Sequence, residues 1–277
     1  MLFSRRSLKR VFKYFKILVM VGAFVGAGFA VYRSTIYVNP PAETLDPILM
    51  PEQLHYPSGV LKTKILMYHR MRAPKAGDRY SVSPAVFRVQ MQWLRDNGYE
   101  VISYDRYYQA LISTSSLPDK SVVISFDDGY RDQFRSAYPI LREFGYSAIF
   151  FPYTRDIGQH DFMTYEMMRE LIGAGMEIGS HTVTHPWINR MSSDDIEREL
   201  ENSKIALEAN IGIRVNHFCY PFGWYNAEIV RAVQSAGYLS AVTVRALTSY
   251  DKKLGPYFVP RVQIENSLKS FVARVTR

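Results

Sequence analysis

One cysteine, Cys219, in 277 residues leaves no partner for an intrachain disulfide, so a folded domain must be held together by its core. The chain has no short internal repeat, no low-complexity tract and no glycine-rich phosphate loop behind a strand-like run, which counts against nucleotide binding. Clustered positive charge is also missing from most of it. Arg5, Arg6, Lys9, Arg10, Lys13, Lys16 and Arg33 place seven of the 34 basic residues within positions 1–40, where no acid occurs. The remaining 27 face 26 acidic residues, so the formal charge of +8 belongs to the N-terminus and the rest is near neutral. Nucleic acid is thereby set aside as a partner, because phosphate recognition needs basic residues gathered on a folded surface.

The N-terminal charge has its own explanation. Residues 1–16 form a basic cytoplasmic segment, and the sixteen residues from Ile17 to Tyr32 are uncharged and rich in Val, Ala, Gly and Phe. Such a run targets a membrane; its length lies between a signal-peptide core and the roughly 20 residues of a full span. Phe12, Tyr14 and Phe15 extend it, and Lys13, Lys16 and Arg33 can reach towards headgroups. Residues 17–32 therefore read as a transmembrane anchor, with cleavage after Gly28-Phe29-Ala30 as the alternative. The basic flank keeps the N-terminus cytoplasmic and sends the remainder across. The expectation is a membrane-anchored protein with an extracytoplasmic domain, periplasmic or secreted if the segment is cleaved. Pro40, Pro41, Pro47, Pro51 and Pro57 make residues 33–59 an extended tether, which leaves 60–277 for the domain.

Within that domain, short β-forming runs alternate with amphipathic patterns. The expected strands are Ile65–Tyr68, Tyr99–Ser103, Val122–Phe126, Ala148–Pro152, Met176–Gly179, Val215–Tyr220, Leu239–Val244 and Phe258–Ile264. The expected helices run from Ser83-Pro84 to Asn97-Gly98, then over Tyr107–Ile112, Tyr130–Phe144, Tyr165–Ile172, Ser193–Ala209, Ala227–Ala236 and Leu268–Val275. This repeated βα unit implies an α/β fold with a mainly parallel sheet, and seven or eight units predict a distorted (β/α)7-8 barrel. Barrels of this kind place chemistry on the loops that follow the strands.

Reactive residues do follow the strands. Val122–Phe126 runs into Asp127-Asp128-Gly129, Ile65–Tyr68 into His69, Met176–Gly179 into Ser180-His181-Thr182-Val183-Thr184-His185, and Val215–Tyr220 into Pro221-Phe222-Gly223-Trp224. A lone Asp-Asp-Gly is commonly a solvated turn. His181 and His185, four apart, would share one face of a helical turn and suit one divalent metal; otherwise one is a core histidine and the other a surface residue. With Asp128 they make one carboxylate and two imidazoles, a set that leaves coordination positions open for water and substrate. Asp127, beside a ligand but differently directed, is then the candidate general base.

Ser-Phe-Asp-Asp-Gly, His-Thr-Val-Thr-His and Tyr-Pro-Phe-Gly together resemble the motifs of the polysaccharide deacetylases of carbohydrate esterase family four, over roughly residues 62–265. The resemblance implies a distorted β/α barrel that removes acetyl groups from an N-acetylated polysaccharide such as poly-N-acetylglucosamine or peptidoglycan. It also implies one divalent ion, Zn²⁺ first with Co²⁺ or Ni²⁺ as alternatives, on Asp128, His181 and His185, with Asp127 as general base. Two departures follow. The position where many members carry an arginine that orients the base is Cys219, a small residue suited to burial; Arg261 either takes over from another part of the rim or forms a surface ion pair. The late motif that supplies the general acid is missing near the C-terminus, whereas Ile65-Leu66-Met67-Tyr68-His69-Arg70 resembles it at the start. First and last strands are neighbours in a closed barrel, so this order is similar to the circularly permuted poly-N-acetylglucosamine deacetylases, with His69 as acid. Arg70 stands where an aspartate is usual. Tyr220, Pro221, Phe222, Gly223 and Trp224 are the expected substrate or oxyanion contacts, through aromatic faces and a backbone N–H near Tyr220. Two other readings stay open: an inactive glycan-binding module, and a deacylase of a lipid-linked N-acyl sugar.

Overall fold

The computed structural model describes residues 60, 62–113, 115–244 and 255–276. The expected membrane segment at 17–32 and tether at 33–59 lie outside the described residues. Among the described residues no helix is long and apolar enough to cross a membrane.

The strands are β1 (Lys64–Tyr68), β2 (Glu100–Val101), β3 (Ser121–Asp128), β4 (Ile149–Pro152), β5 (Glu177–Ile178), β6 (His217–Cys219), β7 (Ser240–Thr243), β8 (Val259–Pro260) and β9 (Val262–Gln263). Between and after them lie helices α1 (Pro84–Asp96), α2 (Tyr104–Ile112), α3 (Tyr138–Phe144), α4 (Tyr165–Gly173), α5 (Ser193–Ile211), α6 (Ala227–Ser235) and α7 (Leu268–Thr276). Every ladder between these strands is parallel. One sheet runs β5-β4-β3-β1-β9, with β2 on the start of β3, and another runs β6-β7-β8. A bridge from Ser180 to Phe218 joins them on one side. On the other, β8 and β9 are halves of one extended stretch broken at Arg261, so the pairings form a ring of seven staves. The pairing of β9 with β1, Leu66 opposite Val262, makes the expected neighbours of first and last strand.

Strand alternation then decides what faces the interior. Ile65, Val123, Ile149, Phe151, Cys219, Val242 and Val259 form one buried cluster, whereas Leu66, Ile124, Phe126, Phe150 and Phe218 pack in another with the helices. A period of two carries the inward set from Val123 to Ser125 and Asp127, and from Val259 to Arg261. The helices start where short polar side chains cap them. Ser83, Ser103, Thr164, Ser192 and Asn226 each accept a backbone N–H from the first turn. The Ser103 cap starts α2 at Tyr104, three residues earlier than the hydrophobic pattern implies. The stretch expected to be one helix over 130–144 is helical throughout 131–144, but with a π-helical turn, Gln133–Ala137, ahead of α3. Pro139 explains the change, since it has no N–H to donate and its ring crowds the preceding turn.

Candidate active site

At the C-terminal end of β3 the backbone turns sharply. Asp127 keeps the inward direction of Val123 and Ser125, but Asp128 (φ 72°) and Gly129 (φ 75°) adopt left-handed conformations, which aim neighbouring carboxylates at different places. Gly129 is also needed for space: a Cβ there would lie 2.6 Å from the Cβ of Pro152 at the end of β4.

Asp127 is clamped. Arg261 Nη1 and Nη2 each donate to one of its carboxylate oxygens at 2.6 Å, a bidentate pair in which the arginine side chain is fully buried. The same guanidinium donates to Ser125 Oγ at 3.1 Å and to Thr243 O at 3.4 Å, and reaches Cys219 Sγ at 3.0 Å. The alternative of a surface ion pair for Arg261 is therefore wrong; strand alternation turns it inward. Burial pulls the Asp127 carboxyl upward, but the Arg261 charge and hydrogen bonds outweigh it and hold the group well below the usual carboxylate range. His69, just after β1, places Nε2 3.9 Å from Asp127 Oδ2. Its ring meets Tyr80 edge-on at 4.9 Å.

Asp128 Oδ1 faces His181 Nε2 at 3.7 Å and His185 Nε2 at 3.6 Å, and the two rings are 4.6 Å apart. These distances exceed a hydrogen bond, so three donor atoms converge on one point without satisfying each other. His181 Nδ1 lies 2.7 Å from the carbonyl of Cys219; since a carbonyl only accepts, Nδ1 carries the proton and Nε2 offers its lone pair. Burial first, then the neighbouring His185, pushes His181 down to about 4, and burial lowers His185 as well. Both imidazoles are neutral near pH 7, as ligation requires. This set fits a divalent ion. Asp127, His181 and Cys219 form a second group of comparable size, but Arg261 already engages both Asp127 and Cys219, so a cation there would meet a buried guanidinium.

The histidine segment is not the helical turn that its spacing of four suggested. Thr182 (φ 71°) and His185 (φ 55°) are left-handed, and Thr182 Oγ1 accepts the His185 N–H at 3.0 Å. Glu199, buried on α5, holds this loop from behind: it accepts the N–H groups of Val183 (2.8 Å) and Thr184 (2.9 Å) and the Thr184 hydroxyl (2.7 Å). Gln133, in the π-helical turn, donates to the carbonyls of His69 (2.8 Å) and Asp127 (2.5 Å) and so ties the ends of β1 and β3 together. Sequence reasoning missed both. Glu199 interrupts the polar face of α5 at a core-facing position, next to Leu200 and Ser203, and that was its one visible signal.

The Tyr220–Trp224 segment is only partly a contact surface. Tyr220 is fully buried against Phe218 and Tyr225, and its N–H donates to Val242 O at 3.1 Å, so it offers neither a sugar face nor an oxyanion donor. Pro221 and Gly223 are buried too. Phe222 is 39% exposed, stacks on Trp187 at 4.0 Å and meets His185 edge-on at 4.6 Å; Trp224 is half-buried. Trp187 was not singled out from the sequence.

A sequence profile described as polysaccharide deacetylase matches residues 114–241. The polysaccharide deacetylase-family protein YxkH of Bacillus subtilis (strain 168) is 32% identical over 204 residues, covering 73% of this chain and 71% of that protein. The chain belongs to the polysaccharide deacetylases. Among its relatives is the poly-β-1,6-N-acetyl-D-glucosamine N-deacetylase of Escherichia coli (strain K12), 25% identical across 76% of this chain. The chain spans only 38% of that larger relative. In three dimensions the deacetylase PplD of Streptococcus pyogenes, solved in complex with acetate, superposes with a TM-score of 0.71 at 27% identity, covering 77% of this chain and 97% of PplD.

Proposed function

We propose that this deacetylase hydrolyses N-acetyl groups on the amino sugars of an extracytoplasmic polysaccharide, poly-N-acetylglucosamine or peptidoglycan, with Asp128, His181 and His185 holding one divalent ion. Zn²⁺ is the first candidate, with Co²⁺ or Ni²⁺ as alternatives for a set of two imidazoles and one carboxylate. The observation that carries the reading is the convergence of Asp128, His181 and His185 on one point beside an Asp127 that Arg261 keeps ionised. The location outside the cytoplasm rests on the basic and apolar segments at residues 1–32.

The ion supplies Lewis-acid polarisation and a more acidic water. Asp127, ionised throughout the neutral range, accepts a proton from the attacking water. His69, with Nε2 3.9 Å from Asp127 Oδ2, gives a proton to the amine as the C–N bond breaks, so acetate and a free amino sugar leave. An N–H for the developing oxyanion comes from Phe222. Tyr220, Gly223 and Trp224 commit theirs to Val242, Tyr220 and Pro221, and Pro221 has none. The intact set of acids and imidazoles favours an enzyme over an inactive glycan-binding module. Acetate release by the purified full chain with added Zn²⁺, across N-acetylglucosamine polymers with β-1,6 and β-1,4 links and peptidoglycan, tests this. Release from at least one, abolished by chelator and restored by metal, is expected; binding of glycan without release from any of them would sink it.

A further inference from the structure

Arg70 is a departure that the reaction above leaves unused. It follows His69, and its guanidinium carbon sits over the Tyr130 ring, 3.4 Å from the centroid, two residues beyond Asp128. There it forms one wall of a cavity of about 180 Å³ on the rim that carries the candidate active site, shared with Arg131, Asp132, Arg135, His160 and Asp161.

Three arginines thus line one recess beside two aspartates, and their charges are poorly matched. Arg131 donates through Nε and Nη2 to the carbonyls of Phe162 and Gln159, both at 2.9 Å. Neutral carbonyls fix its position without cancelling its charge. Arg135 is exposed and makes no ion pair among the described residues. Asp161 is engaged with His160 at 3.0 Å and comes no closer than 4.0 Å to Arg70. Asp132 is the other acid; burial raises its pKa against the opposing pull of a Met71 N–H and of Arg70, and its Oδ1 has no hydrogen-bond partner among the described residues. Arg261 differs in both respects. That arginine, which supports the fold, is fully paired and buried, whereas these three line an open recess in which Arg70 and Asp161, 4.0 Å apart, make the one arginine ion pair among the described residues, so their like charges favour an anion entering.

We infer that this recess is a subsite for a compact oxyanion, a carboxylate or phosphate, carried by the polysaccharide beside the sugar being deacetylated. The inference rests on the deacetylase reading and narrows its substrate. A homopolymer of N-acetylglucosamine leaves the recess empty, whereas a glycan with lactyl ether carboxylates or sugar phosphates fills it through forked guanidinium contacts.

Calorimetric titration of the zinc-loaded full chain tests this with three probes: chitotetraose, an oligosaccharide alternating N-acetylglucosamine with N-acetylmuramic acid, and a 6-phosphorylated chitotetraose. At least one anionic probe should bind about tenfold more tightly than the neutral one, with a preference that shrinks as salt rises. Arg135→Ala and Arg131→Gln should each bring the ratio to within about twofold of unity, while Arg198→Ala, an exposed arginine on α5, keeps it. Whichever anionic arm binds identifies the oxyanion. Equal binding of all three probes, or a preference that survives both recess variants, overturns the inference. Acetate release from chitotetraose is followed in parallel; its absence from every substrate would remove the deacetylase reading while the binding ratios still decide the subsite.

Discussion

Adjacent aspartates in one strand end become chemically distinct because their backbone conformations differ. Asp127 keeps the strand conformation and meets Arg261 inside the barrel; Asp128, the last residue of β3, turns to φ 72° and meets two imidazoles. Asp128→Asn should therefore lose zinc and acetate release together, while Asp127→Asn keeps zinc within a few-fold and loses release by two to four orders of magnitude, about the span of general acid–base catalysis. Zinc titration alongside kinetics reads both, and identical behaviour of the two variants would refute the division. Arg261→Met is a harsher change. It leaves a buried carboxylate unpaired and should cost about 3–5 kcal/mol in urea unfolding. Because the pair holds Asp127 below the ordinary carboxylate range, the stability it provides is present above the unfolded pKa near 4 and lost as pH falls through the lower folded value. The gap between wild type and Arg261→Met should then be widest at neutral pH and shrink in acid. A constant gap from pH 7 to pH 3 would contradict it.

At the scale of elements, sequence and structure part company where backbone geometry overrides spacing. Strand ends predicted His69, Asp127, Asp128, His181 and His185 because parallel strands buried on both faces leave only their C-terminal loops for polar chemistry, and that rule needs no coordinates. The inward direction of Arg261 was available from the same alternation. The loop over 181–185 was not legible: two left-handed non-glycine residues carry no simple sequence mark, and the anchor Glu199 is fourteen positions further on. The burial of Tyr220 was missed because an aromatic residue after a strand reads equally as core or contact. Glu199 gives this element its test. Glu199→Gln replaces one acceptor oxygen with an amide that opposes the loop N–H groups, and zinc affinity should weaken about tenfold, as for outer partners of metal ligands generally. Thr184→Val removes one of the three bonds and should weaken it less. Glu199→Gln with unaltered zinc affinity would show that the loop holds its shape without help from α5.

For the whole molecule, metal binding and stability are one linked equilibrium, since the three ligands come from the end of β3 and the loop after β5 and meet only in the closed barrel. Zinc at about 100 times its Kd should add about 2.7 kcal/mol to unfolding, a rise of roughly 5–10 °C in Tm for a domain of this size. Differential scanning fluorimetry with and without chelator reads it, and the rise should vanish in Asp128→Asn. The pH dependence follows from the imidazoles. Both folded pKa values lie below the ordinary value of about 6.5, that of His181 at about 4, so below about 6.5 the unfolded chain binds protons that the folded one refuses, for His181 down to about 4. The metal-free protein should lose stability as pH falls through this window. Proton competition for the ligands sets in below the usual histidine range for the same reason, so the zinc-dependent rise should persist at pH 5.5. A rise that disappears by pH 6, in step with free imidazole, would mean that His181 and His185 titrate as exposed groups and do not act as buried neutral ligands.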